Sequence, residues 1–207
     1  MRSAEGSNSI IPELSNRYHI LRHGHSEGNL QNVIVSDPKR GVSGFGLTDI
    51  GRNQVRHTSA SHREDLDDVD RVFSSDFLRT RQTAAIVAED LQVPVELSTL
   101  LRERRFGKWE GQHSRYYENV WKLDAQDPGQ CADGVESVLA VARRMTSLIR
   151  QIEERFTGEH ILLVSHGDPL QVLLTAIAGR GLHRHREMPT LETAELRALA
   201  KSADDSS

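Results

Sequence analysis

Along residues 135–157, apolar side chains recur at steps of three and four. Val138, Ala142, Met145, Ile149, Ile152 and Phe156 form one stripe, which predicts an amphipathic helix packed against a core. Elsewhere the pattern is shorter. Segments 18–21, 71–74, 93–97 and 161–165 are rich in β-prone side chains and bounded by polar residues, which predicts strands. Between them, "SSDFLRTRQTAAIVAEDL" predicts a helix from Ser75 or Asp76, with Phe77, Ala84, Val87 or Ala88, and Leu91 on one face. Thr48 is expected to cap another helix running through Arg63. Asp168-Pro169 ahead of "LQVLLTAIAG" reads as an N-cap and a first-turn proline, with Gly179 just past the end. "TLETAELRAL" is helical by local propensity, but its place in the order suits a last strand. Strand and helix alternate, so the fold class predicted is α/β: a largely parallel central sheet covered on both faces.

Composition adds exclusions. At 207 residues, 37% hydrophobic and 27% charged, the chain suits one soluble domain. Its net charge of −4 recommends neither nucleic acid nor an anionic membrane as partner. No apolar run is long enough to span a bilayer, and the N-terminal stretch lacks a signal peptide's apolar run, so a cytoplasmic protein is expected. The single cysteine, Cys131, excludes an internal disulfide and a cysteine-based metal cluster; a buried, inert thiol is expected. Residues 1–16 and 200–207 read as tails around one catalytic domain, 17–199, with a small cap segment at about 110–135.

"ILRHGHSEGN", residues 20–29, supports two chemistries. Gly24-His25-Ser26-Glu27-Gly28 fits the serine nucleophile elbow of an esterase, whose oxyanion hole comes from an earlier strand-to-helix loop. Only one short strand precedes Ser26, so the elbow fails on position. The other frame, Arg22-His23-Gly24, places a histidine beside a fixed cation at the end of the first strand.

The other strand ends agree with the second frame. Arg79 falls in a helix first turn after the second strand, Glu103 in a polar loop after the third, and Ser165-His166-Gly167 after the fourth. In a parallel sheet all these ends face one crevice. A phosphoryl group in transfer carries spread negative charge, which Arg22, Arg79, His166 and a helix N-terminus can stabilise. Neighbouring cations keep His23 unprotonated and able to attack. Glu103 can protonate the leaving oxygen and then deprotonate water. No metal or cofactor is needed for that scheme.

These stretches together resemble the histidine phosphatase superfamily, its phosphoglycerate mutase-like group, over nearly all of residues 17–199. "LRHGHSEGN" is similar to the family's phosphate loop at Arg22, His23, Gly24, Ser26 and Asn29. "GLTDIGRNQ" resembles a helix start, "SSDFLRTRQTA" carries Arg79, "LRERRFGKWEG" carries Glu103, and "VSHG" carries His166. The resemblance implies a three-layer α/β/α sandwich, a phosphohistidine at His23 and Glu103 as proton donor and acceptor. It implies substrate contacts from Ser26, Asn29, Gly167 and, by position, Arg104. Mutases of the family carry a longer cap with extra lysine and arginine contacts. Here Gln112–Val135 is short and offers only Arg115 and Lys122 with Tyr116, Tyr117 and Trp121. Hydrolysis of small phosphate monoesters is therefore expected, with a phosphoglycerate mutase and a non-catalytic binding protein as the alternatives. Oligomeric state stays open, a homodimer included.

Two stretches are set aside. "GVSGFG", residues 41–46, lacks dinucleotide-loop spacing, and "HRHRE", residues 183–187, lacks the spacing of a zinc site and reads as a solvated basic loop.

Overall fold

The computed structural model describes residues 14–199. In chain order the elements are β1 (Arg17–Arg22), α1 (Glu27–Leu30), α2 (Pro38–Gly41), α3 (Asp49–Ser61), α4 (Arg63–Leu66), β2 (Arg71–Ser74), α5 (Leu78–Leu91), β3 (Val95–Leu97), α6 (Tyr117–Asp124), α7 (Val138–Arg155), β4 (His160–Ser165), α8 (Gly167–Ile177) and β5 (Leu196–Ala198). The sheet order is β3-β2-β4-β1-β5. β1, β2, β3 and β4 pair in parallel, and only β5 runs antiparallel, along β1.

Strand alternation sorts the core into two layers. Tyr18, Ile20, Ile161 and Leu163 face α7 and α8, where Val141, Met145, Ile149, Leu170 and Leu173 pack on them. Leu21, Leu162 and Val164 face the opposite way, onto Val55 of α3 and Ala84 and Val87 of α5. β4 is buried along its whole length, as expected of a central strand covered on both sides. The result is the three-layer α/β/α sandwich.

Several boundaries differ from the sequence reading. "TLETAELRAL" ends in a strand, because Ala194 adopts φ +60° and breaks helical continuity just before Leu196 pairs with β1. Asp168 is not an N-cap: His166 holds that place, and Asp168 and Pro169 lie inside the first turn of α8. Asp168 is drawn away by Arg104 and Trp121. Gly179 does follow the helix with φ +65°, the left-handed exit that glycine favours. Thr48 accepts a bond from the Gly51 amide, but α3 stops at Ser61 and the non-helical His62 separates it from α4. α5 starts at Leu78, beyond Asp76. Phe156 lies just past α7 and is only partly buried.

Residues 14–16 are anchored: Ser15 and Asn16 donate to the Glu153 carboxylate, and Leu14 packs on the core. The expected tails at 1–13 and 200–207 lie outside the described residues. Cys131 is exposed, contrary to the expected buried thiol, because it sits on a short turn between α6 and α7. Among the described residues no helix is long and apolar enough to cross a membrane.

At the amino ends of the strands, His19 Nδ1 and His160 Nε2 meet at 2.7 Å. One nitrogen must donate and the other accept, so protonating both rings would set two N–H groups face to face. Burial, and the neighbouring ring for His19, hold both histidines below the ordinary value of 6.5. A depressed histidine stabilises the fold in its neutral state, and that stability is lost as pH falls below about 6.5. The urea midpoint is expected to drop between pH 7.5 and 5.5 by the equivalent of about 1 kcal/mol, with His19→Gln flattening the dependence. Equal pH slopes for the two proteins would contradict this.

Candidate active site

The carboxyl ends of β1, β2 and β4 lie side by side, and each hands its chain to a residue of one cleft. His23 follows β1 and donates its amide to Ser165 O, 3.0 Å away, at the end of β4. Gly24 lets this turn press against α3, since a Cβ there would lie 2.5 Å from Gly51 O. The loop after β3 carries Glu103 and is tied to the sheet by the Ser165 hydroxyl, which donates to Leu101 O at 2.7 Å. The cleft has a volume of about 110 Å³ and opens to solvent.

The His23 ring has one possible neutral form. Its Nδ1 lies 2.8 Å from Gly24 O, and its Nε2 receives Arg79 Nε–H at 3.1 Å. A carbonyl only accepts and a guanidinium only donates, so the proton sits on Nδ1 and the lone pair on Nε2. Burial first, then Arg79 and Arg22, hold the ring well below its usual value. It is therefore neutral across the physiological range, with a lone pair on Nε2.

Three buried nitrogens around it have no partner among the described residues: Arg22 Nε, Arg79 Nη1 and His166 Nδ1. Arg22 is aimed by Nη1, which donates to Leu191 O at 2.6 Å. Arg79, in the first turn of α5, is fixed through Nη2 to Val35 O at 3.0 Å. His166 is held by Nε2 against Ser75 Oγ, 3.0 Å away, with its ring centre 5.3 Å from that of His23. Burial, reinforced by Arg79, holds it neutral too. The two guanidinium N–H groups are buried donors, costly unless an acceptor fills them. Two guanidinium groups beside a neutral histidine fit an acceptor that is anionic and rich in oxygen.

Glu103 lines the same cleft. Its Oε2 lies 3.8 Å from Arg79 Nη2 and 3.9 Å from His166 Nδ1, while Oε1 accepts from the Arg104 amide at 2.9 Å. Burial outweighs the pull of Arg79 and raises the carboxyl to about 7. A group poised there can give a proton and take one back.

The outer wall carries Ser26, Asn29, Asn32, Ser114 and Tyr117. Ser26 is no elbow: it caps α1, and both its amide and its hydroxyl donate to Asn29 Oδ1. That leaves the Asn29 NH₂ group free to donate into the cleft.

Two expected substrate contacts are placed differently. Arg104 is fully buried and bonded to Asp124 and Asp168, so it does not line the cleft. Gly167 touches Arg22 instead: a Cβ there would stand 3.3 Å from the guanidinium. The "HRHRE" stretch is also more ordered than a solvated loop, with His185 buried and Arg186 stacked 3.7 Å over Trp121. Ser114 and Asn32 had no local signal in sequence, because chain folding alone brings residues 112–117 to the loop after β1. Tyr117, one of the aromatic residues of that segment, lines the cleft while stacking on Trp121, 5.4 Å between centres.

The model of the histidine phosphatase superfamily (branch 1) matches residues 18–205. The chain belongs to the histidine phosphatase superfamily. As such it is an enzyme of the phosphatase type. A probable phosphoglycerate mutase of Photorhabdus laumondii is 31% identical over 176 residues, 82% of this chain and 78% of that protein. The adenosylcobalamin/alpha-ribazole phosphatase of Salmonella typhimurium is 27% identical over 168 residues, 78% of this chain and 79% of that one. In fold, this histidine phosphatase is similar to a mycobacterial glucosyl-3-phosphoglycerate phosphatase solved with VO3 (TM-score 0.75, 22% identity, covering 88% and 90% of the two chains).

Proposed function

We propose that this enzyme hydrolyses small phosphate monoesters through a phosphohistidine on His23, without a metal or cofactor. The observation that carries the reading is the His23 Nε2 lone pair, which takes Arg79 Nε–H and stands beside the Arg22, Arg79 and His166 side chains, each with a buried nitrogen that has no partner among the described residues.

In the first half-reaction Nε2 forms a bond to phosphorus as the ester P–O bond breaks. The Glu103 proton passes to the departing oxygen, releasing the alcohol. Arg79 Nε–H, freed from Nε2, turns to an equatorial oxygen. Arg22 and His166 complete the set of donors around the charge. In the second half-reaction the Glu103 carboxylate takes a proton from water, whose oxygen bonds to phosphorus as the N–P bond breaks. Inorganic phosphate leaves, and both groups return to their starting states. Asn29, Asn32, Ser114 and Tyr117 meet the alcohol with amide, hydroxyl and ring surface.

Glu103→Gln tests the scheme. The variant is expected to lose about 10²–10³-fold in kcat on phenyl phosphate. It should lose less than about 10-fold on p-nitrophenyl phosphate, whose leaving oxygen needs little protonation. Because the group must start protonated, kcat/KM on phenyl phosphate should decline as pH rises past about 7. Equal losses on both esters would remove Glu103 from the acid role.

The mutase reading is favoured by the name of the Photorhabdus relative. It is decided by supplying 3-phosphoglycerate: isomerisation supports it, and release of inorganic phosphate alone supports hydrolysis. Arg104, the sequence candidate for a substrate contact, is committed elsewhere.

A further inference from the structure

Arg104 is among the largest fully buried side chains, yet it does not reach the cleft. Its backbone amide donates to Glu103 Oε1 at 2.9 Å. Its side chain then makes four bonds to three parts of the fold. Nη1 and Nη2 grip both Asp124 oxygens, at 2.7 and 2.8 Å, on the cap helix α6. Nη1 also reaches Asp168 Oδ2 at 3.3 Å, in the first turn of α8, two residues after His166. Nε donates to Glu136 O at 2.6 Å. Asp168 in turn takes the Trp121 indole N–H at 2.9 Å, joining α8 to α6 a second time.

We propose that Arg104 is the positioning residue of the proton donor, a buried clamp that fixes the Glu103 segment to α6 and α8. A planar, bidentate guanidinium suits this task because it fixes orientation as well as distance. Among the described residues the Glu103 carboxyl has only the Arg104 amide as a hydrogen-bond partner, its distances to Arg79 and His166 being near 4 Å. The carboxyl is thus placed by its backbone, and its backbone is placed by the next side chain. Displacement of an acid by about 1 Å can cost about 100-fold in rate. The clamp also ties the acid to the cap through α6, which carries Tyr117 of the outer wall.

The inference rests on the proposed acid role of Glu103, and the experiment separates the two. Arg104→Lys keeps the charge but cannot hold both Asp124 oxygens and Glu136 O together. It is expected to lower kcat on phenyl phosphate about 10-fold or more, with KM nearly unchanged and little change on p-nitrophenyl phosphate. In a Glu103→Gln background the same change should add no further loss. Trp121→Phe, which removes one outer bond of the clamp, should show the same selectivity at smaller amplitude and serves if Arg104→Lys does not fold. Equal losses on both esters, or a full further loss in the Glu103→Gln background, would reduce Arg104 to a structural residue and overturn the proposal. If Glu103→Gln alone affects both esters equally, the acid role itself falls and the clamp falls with it.

Discussion

Replacing His23 with alanine is expected to lower kcat by about 10⁴-fold or more on every phosphate monoester, good leaving groups included. The reason is geometric. Gly24 O leaves the ring a single lone pair, on Nε2, which takes Arg79 Nε–H in the same cleft that Arg22 and Glu103 line. Ser26 Oγ, the other nucleophile this loop offers, is committed to Asn29 Oδ1. Assays of purified His23→Ala with p-nitrophenyl phosphate, read beside a thermal melt, check the point. Residual activity within about 100-fold of the parent, in a folded protein, would contradict it.

The second large effect is expected at Arg79. Its guanidinium touches the nucleophile, bonds Val35 O and holds one further N–H without a partner. Arg79→Met should lower kcat/KM by about 10²–10³-fold, the usual loss for a preorganised donor to developing charge. It should lower activity on p-nitrophenyl phosphate and phenyl phosphate alike, since the arginine serves the phosphoryl group and not the leaving oxygen. That equality separates it from Glu103→Gln. Vanadate, a mimic of the transferred group, should bind the variant correspondingly more weakly. A loss confined to phenyl phosphate would contradict this role. Stability should change little, because relief of a buried charge offsets the loss of the bond to Val35.

The candidate cluster was legible in the sequence because a parallel sheet gathers the residues just past its strands into one crevice. Four strand ends, read separately, carried Arg22-His23, Arg79, Glu103 and His166, and the sheet order brings them near one another, with His166 against His23 and Glu103. The helical stripe of α7 was legible for the same kind of reason, a period that survives packing. Features made by long-range contact were not. Asp168 beside Pro169 has the local signature of a cap, yet the partners that draw it inward lie 47 and 64 residues away in Trp121 and Arg104. Arg104 in an arginine-rich loop looked either solvated or substrate-facing, because nothing near it in sequence announces Asp124. The last strand was ambiguous because its local helix propensity is overridden by Ala194 and by pairing with β1. Ser114 and Asn32, whose backbones meet at 2.7 Å, join the wall only through the cap's return to the phosphate loop.

The phosphohistidine is tested most directly by trapping. The enzyme is mixed with a ³²P-labelled phosphomonoester, quenched in alkali within its first turnover, digested, and the labelled peptide sequenced. The account predicts label on His23 that survives alkali and is lost in acid, and that is absent from His23→Ala. Acid-stable label on Ser26, or turnover with no labelled protein at any quench time, would contradict it.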